Sequence, residues 1–262
     1  MTSVTEPASD FAVVRPPIGL ALRSLLRADT TVLLRSRVST LLSLILPVVI
    51  LVATSFGKAS TRLGGSNLLI GLALTLGLLT SCLLGYSLNL ARDREAGVLQ
   101  RLRVTPAPTW MIMTSRLAVQ LATNLIASIV VVIVGVILHG LNPSFGQYVL
   151  VVVIAVLGAG VFLAIGQAIV GLVTSSGAVN AIGRILFILL VLLGLLGASG
   201  VLGDTIKAIA LWSPVGALMI LFGDSLAGTA WVDQDWYSLL ACFGYIVVFA
   251  FIGIRWFRWE SR

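Results

Sequence analysis

Four arginines (Arg92, Arg94, Arg101, Arg103) and two acids (Asp93, Glu95) stand between Arg92 and Arg103, the longest strongly charged run in a chain that is otherwise apolar. Read as a helix from Arg92 to about Arg103, this run places Val98, Leu99 and Leu102 on one face and the charges on the others. Thr105 before Pro106 and Ala107 before Pro108 are pushed out of the helical region, so the helix is expected to stop there. The result is a compact charged knob that another molecule could grip. Elsewhere the chemistry is sparse. The only Gly-Lys pair is Gly57 and Lys58, with Ala59 where a phosphate-binding loop needs Ser or Thr and Val52 where it needs the earlier Gly. The chain is therefore expected to bind no nucleotide or other cofactor itself. His139, the only histidine, reads as a solvated outer-loop residue. Cys82 and Cys242 lie in apolar runs and read as packing residues, with no metal or disulfide framework. Asp233 and Asp235 read as a solvated turn.

What positions the knob is membrane. With 262 residues, 58% hydrophobic and only 10% charged, and a mean hydropathy of +1.09, the chain is far from the roughly 25% charged content of soluble domains. It reads as an all-α integral membrane protein. Six spans are expected, at about 38–56, 68–90, 110–138, 148–173, 184–200 and 237–254. Of 17 basic residues only Lys58, Arg62 and Lys207 fall on the outer side, leaving 14 inside. That asymmetry explains the +7 net charge as topology, without nucleic acid, and puts both termini in the cytoplasm. Trp110, Trp256 and Trp259 mark the inner interface, and Trp212, Trp231 and Trp236 the outer one.

Around the spans, residues 1–17 read as a disordered tail without an apolar leader, and 255–262 as a second cytoplasmic tail. Residues 18–37 form an amphipathic, interfacial helix with Arg23, Arg27, Arg35 and Arg37 on its polar side. Asp29 either caps a helix restarted at Thr30, the preferred reading, or pairs with an arginine of the charged loop. Pro47 is expected to kink the first span. Ala73, Gly77, Ser81, Gly85 and Asn89 recur every fourth residue of the second, a ridge for close helix packing. Thr174–Ala181 reads as a short second inner loop. Between spans five and six, 201–236 reads as a re-entrant or interfacial segment, with a helix at 204–212 and Ser213 capping a second helix that opens with Pro214.

The charged stretch resembles the first cytoplasmic loop of ABC-2 type permeases, the membrane subunits of ABC exporters, which often runs R-E-x-G-T-L-E-x-L-x-x-T-P. Arg94, Glu95, Gly97, Leu99, Leu102, Thr105 and Pro106 match it in order and spacing, while Val98 and Gln100 stand where the family often has Thr and an acid. The resemblance implies that this loop, including Arg92 and Asp93, is a coupling helix seated in a groove of a separate ATPase. It implies two such ATPase subunits carrying ATP and Mg, and a second permease, as homodimer or paralogous heterodimer, in a bacterial cytoplasmic membrane.

In that family the path runs chiefly along spans one, two and five. Here these are aliphatic, with Thr54, Thr75, Thr80, Ser81 and Ser87 as the few polar groups and Phe56, Tyr86 and Phe187 as the few aromatics. Such a lining favours efflux of a hydrophobic or amphipathic compound, a drug or lipid, as in multidrug export and antibiotic resistance. Export of a polysaccharide or glycolipid is the nearer alternative, and a non-ABC carrier or scaffold the more distant one. Every acid and base lies at or beyond a span end, whereas ion-coupled carriers usually keep one near mid-membrane, so the work is expected to enter through the loop.

Overall fold

The computed structural model describes residues 18–35, 45–53, 65–98, 101, 109–199 and 203–256. Their elements are α1 (Ile18–Arg35), α2 (45–53), α3 (Ser66–Glu95), α4 (Thr109–His139), α5 (Phe145–Leu172), α6 (Ser176–Ser199), α7 (Asp204–Trp212), α8 (Pro214–Ala227) and α9 (Asp233–Trp256). Among the described residues there is no strand. Only helices can satisfy their backbone polar groups from within one segment inside a bilayer. In α3, α4, α5, α6 and α9 that requirement coincides with long runs of Leu, Val, Ile and Ala, and all five are long and apolar enough to cross a membrane. The expected first span is described only over α2; its remainder lies outside the described residues, as do 1–17 and 257–262.

α3 and α5 are the inner helices, and α4, α6 and α9 pack around them with apolar faces left open. Leu79, Leu83, Phe162 and Phe222 are among the fully buried side chains at the centre. The small-residue ridge serves packing inside this one chain. Pro47 of α2 closes against Gly77, Ala73 is buried, and Asn89 at the ridge end is exposed.

Successive long helices reverse direction, which collects Arg23, Arg27, Arg92, Arg94, Arg101, Arg116, Arg184 and Arg255 at one end of the bundle, the basic end. Asp204, Lys207, Asp224, Asp233 and Asp235 lie toward the other, the far end.

Several expected boundaries move. α3 does not stop near Leu90 but runs on to Glu95. The inner loop expected over Thr174–Ala181 shrinks to 173–175, because Ser176 already opens α6. Asp233 and Asp235 belong to the first turn of α9, and Asp235 is only 1% exposed. Its Oδ2 accepts from the Val232 amide at 2.8 Å, so it caps the helix instead of lying in a solvated turn.

α7 and α8 meet at an angle of 81°. Ser213 Oγ accepts from the Gly216 amide at 3.0 Å, and Pro214 takes the first helical position, where no amide proton is needed. The bend lies deep: Leu218, one turn past it, meets Leu78 and Gly158 near the middle of α5, and Tyr245 donates to the Trp212 carbonyl at 2.8 Å. The end of α8 returns to the far end, where Gln147 in the first turn of α5 donates to the Leu226 carbonyl at 3.1 Å. The pair is thus a re-entrant hairpin. Trp212 ends α7 at the bend, yet it is 52% exposed and its ring stacks on Tyr237 near the start of α9, with ring centroids 6.0 Å apart.

Candidate functional site

The charged stretch is built on the last turn of α3. The Ala96 amide bonds Arg92 O at 2.9 Å and the Gly97 amide bonds Arg94 O at 3.1 Å. Gly97 then adopts φ 68°, a left-handed conformation open to glycine and costly for other residues. A new turn starts from it, with the Arg101 amide on Gly97 O at 3.1 Å. The single helix expected from Arg92 to Arg103 is therefore broken at Gly97: its acids and first two arginines belong to the end of a span.

Consecutive residues of a helix point about 100° apart, so Asp93, Arg94 and Glu95 reach three different neighbours. Arg94 turns inward and is 1% exposed. Its guanidinium donates to the carbonyls of Val170 at 2.7 Å, Val173 at 2.6 Å and Thr174 at 2.8 Å. These oxygens lie at and just past the end of α5, where helical partners run out and the helix dipole is negative, so a cation there meets both needs.

Glu95 does the reverse. Its Oε1 accepts from the Ser176 amide at 2.6 Å and its Oε2 from the Ser176 hydroxyl at 2.5 Å, at the positive start of α6. Two adjacent side chains thus hold both ends of the link between α5 and α6.

Asp93 accepts from Arg116 of α4 at 2.5 Å, an ion pair that ties the residues before the loop to those after it. Asp29 of α1 accepts from the Ser115 hydroxyl at 2.5 Å. Since α1 is continuous through position 29, Asp29 does not restart a helix, and among the described residues its hydrogen-bond partner is Ser115 of α4. Burial raises its carboxyl above the usual range, the Ser115 bond and the Arg116 charge oppose that rise, and Asp93 adds to it.

Arg92 and Arg101 are exposed, and Val98 is half-buried. Leu99, Leu102, Thr105 and Pro106 lie outside the described residues. Of the polar groups expected along a path, Thr54 also lies outside them. Thr75 donates to Gly71 O at 2.8 Å, Thr80 to Leu76 O at 2.7 Å, and Ser87 to Leu83 O. Ser81 accepts from Gln120 of α4 at 2.9 Å. These four are bound to their own helix or its neighbour and do not converge on one cavity. A recess of about 360 Å³, open on one side, lies between α4 and α5 among Leu125, Val132, Tyr148 and Val152.

Residues Leu79–Tyr86 of α3 form a π-helical segment, which re-aims Ser81 toward Gln120 and Tyr86 toward Gln167 of α5, whose Oε1 accepts from the phenol at 2.9 Å. Gln120 and Gln167 escaped the reading of the sequence. Their signal was an amide standing alone in an apolar run.

A family model described as "ABC-2 type transporter" matches residues 21–222. No curated protein matches the chain.

Proposed function

The chain belongs to the ABC-2 type transporter family, and from that premise we propose that it is the permease subunit of an ATP-driven exporter of a hydrophobic or amphipathic compound, such as a drug or lipid. A multi-pass membrane protein of this family is the transport part of an ABC transporter and works with ATPase subunits. In the proposed assembly two such subunits hold ATP and Mg, and a second permease, a copy of this chain or a paralogue, completes the path. The basic end faces the cytoplasm of a bacterium, as the arginine excess there favours.

The observation that carries the reading is the grip of Arg94 and Glu95 on the α5–α6 link. A push on the stretch after Gly97 would reach α3 directly, α4 through Asp93–Arg116, and α5 and α6 through these two side chains. The lever is therefore a unit of four spans. Apolar cargo is supported by the aliphatic character of α3 and α6. Tyr86 is buried and engaged with Gln167, so it offers no stacking platform for sugars.

The test uses the permease co-purified with its ATPase and reconstituted in vesicles. Glu95→Gln keeps one acceptor for Ser176 but removes the charge from the α6 terminus, and ATP-driven efflux of a hydrophobic dye should fall while ATP hydrolysis persists. Full efflux in that variant would overturn the coupling role. Efflux by the permease with no ATPase present would overturn the exporter assignment.

A further inference from the structure

Between the far half of α3 and the turn that carries Asp93, Arg94 and Glu95 lies the π-helical segment Leu79–Tyr86. A π-helix bonds i to i+5 where an α-helix bonds i to i+4, so the segment spends one residue more than an α-helical path between the same ends. Such segments mostly occur as single-turn bulges, and this one is 8 residues long. Its surroundings supply the compensation. Gln120 of α4 donates to the Ser81 hydroxyl at 2.9 Å near the start of the segment, and Tyr86, its last residue, donates to Gln167 Oε1 of α5 at 2.9 Å. Ser87, just after it, sends its amide to the Leu84 carbonyl and its hydroxyl to that of Leu83. α5 leaves room for the widened turn by having glycine at position 166, where a Cβ would lie 3.2 Å from the Cys82 carbonyl oxygen.

The extra residue decides what the end of α3 can reach. If the segment tightened to an α-helix, everything after Tyr86 would turn by one residue, about 100°. Each side chain would then take the direction its successor has now. Buried Arg94 would take the exposed direction of Glu95 and leave the carbonyls of Val170, Val173 and Thr174, and Glu95 would leave Ser176.

We propose that Gln120 and the Tyr86–Gln167 pair are positioning residues that hold the π-helical register of α3, and that this register aims Arg94 and Glu95 at the α5–α6 link. Gln120 fixes the segment where it begins, and Gln167 fixes it where it ends. Inside a bilayer neither amide has water as a substitute partner, so turning α3 would leave a buried polar group unpaired. Two polar contacts inside the bundle thus set the aim of the grip at its basic end. The inference rests on the coupling role proposed above and extends it to residues that touch neither the charged stretch nor the α5–α6 link.

Thiol labelling of the nucleotide-free permease–ATPase complex tests this without transport. Leu90 and Ala91 are buried and Arg92 is exposed, while the native Cys82 and Cys242 are buried. A turn of one residue gives Ala91 the exposed direction of Arg92 but gives Leu90 the buried direction of Ala91. Tyr86→Phe removes the hydroxyl and keeps the ring. In that background a maleimide should label Ala91→Cys about three- to tenfold faster than in the otherwise wild-type chain, the population change that loss of one hydrogen bond inside a membrane brings, while Leu90→Cys stays protected. Gln120→Leu should act in the same direction. Deleting Gly85 takes out the surplus residue, so in the Tyr86→Phe chain it should restore both slow labelling of Ala91→Cys and ATP-driven efflux. Unchanged labelling in Tyr86→Phe would overturn the proposal. So would equal gains at positions 90 and 91, which mark a loosened helix, or fast labelling that persists in a folded deletion chain. Should the deletion fail to fold, the contrast between the two positions decides. Full efflux while Ala91→Cys labels quickly would detach the register from coupling. Efflux without any ATPase would instead sink the exporter reading and leave the labelling result standing.

Discussion

Arg94 shows how much a single side chain can hold together in a membrane protein. Three carbonyls around the end of α5 have no helical partner left, and one planar guanidinium serves all three. Arg94→Ala leaves buried acceptors unpaired, at about 1–3 kcal/mol for such a group, and should lower the unfolding midpoint of the purified protein. Arg94→Lys keeps the charge but not the fork and should recover only part of the loss. An unchanged midpoint in Arg94→Ala would show that the α5–α6 link is held by other contacts. The Arg-Glu pair was legible in the sequence as a motif. Its direction was not: a charged pair in a loop suggests a surface for a partner, whereas here the arginine is buried and the glutamate is spent on Ser176. Only the third neighbour, Asp93, pairs across the loop, with an arginine 23 positions away.

At the scale of elements, the re-entrant hairpin depends on a close approach at its bend. A Cβ on Gly216 would collide with the Ala210 carbonyl oxygen, so Gly216→Ala cannot be accommodated without opening the 81° angle between α7 and α8. Overpacking of this kind costs about 1–3 kcal/mol. The variant should melt earlier and become more sensitive to protease between α6 and α8, while Gly19→Ala, where a Cβ meets nothing, should behave as wild type. The Ser213 cap and first-turn Pro214 were readable because they act within four residues. The depth of the bend was not, since it depends on Gly158 of α5 and Tyr245 of α9 being there to receive it. The same holds for the π-helical segment of α3, whose composition does not differ from the helix around it.

For the whole molecule, the six-span reading with its re-entrant insert makes the two ends of the bundle face opposite compartments. Single cysteines replacing Arg101 and Lys207 should therefore label from opposite sides of intact inverted vesicles with a membrane-impermeant thiol reagent. Labelling of both from one side would refute the topology. The sequence by itself determined the features that solvent imposes: which stretches cross a bilayer, which end collects arginine, and that charge is excluded between. Water and lipid act on each segment separately, so hydropathy and charge counts suffice. Only the tertiary structure decided which polar groups meet. The contacts of Arg94 with the end of α5 and of Glu95 with Ser176 join residues far apart in the chain. Each exists because helix packing brings an unmet donor or acceptor beside its complement, and no local pattern encodes that.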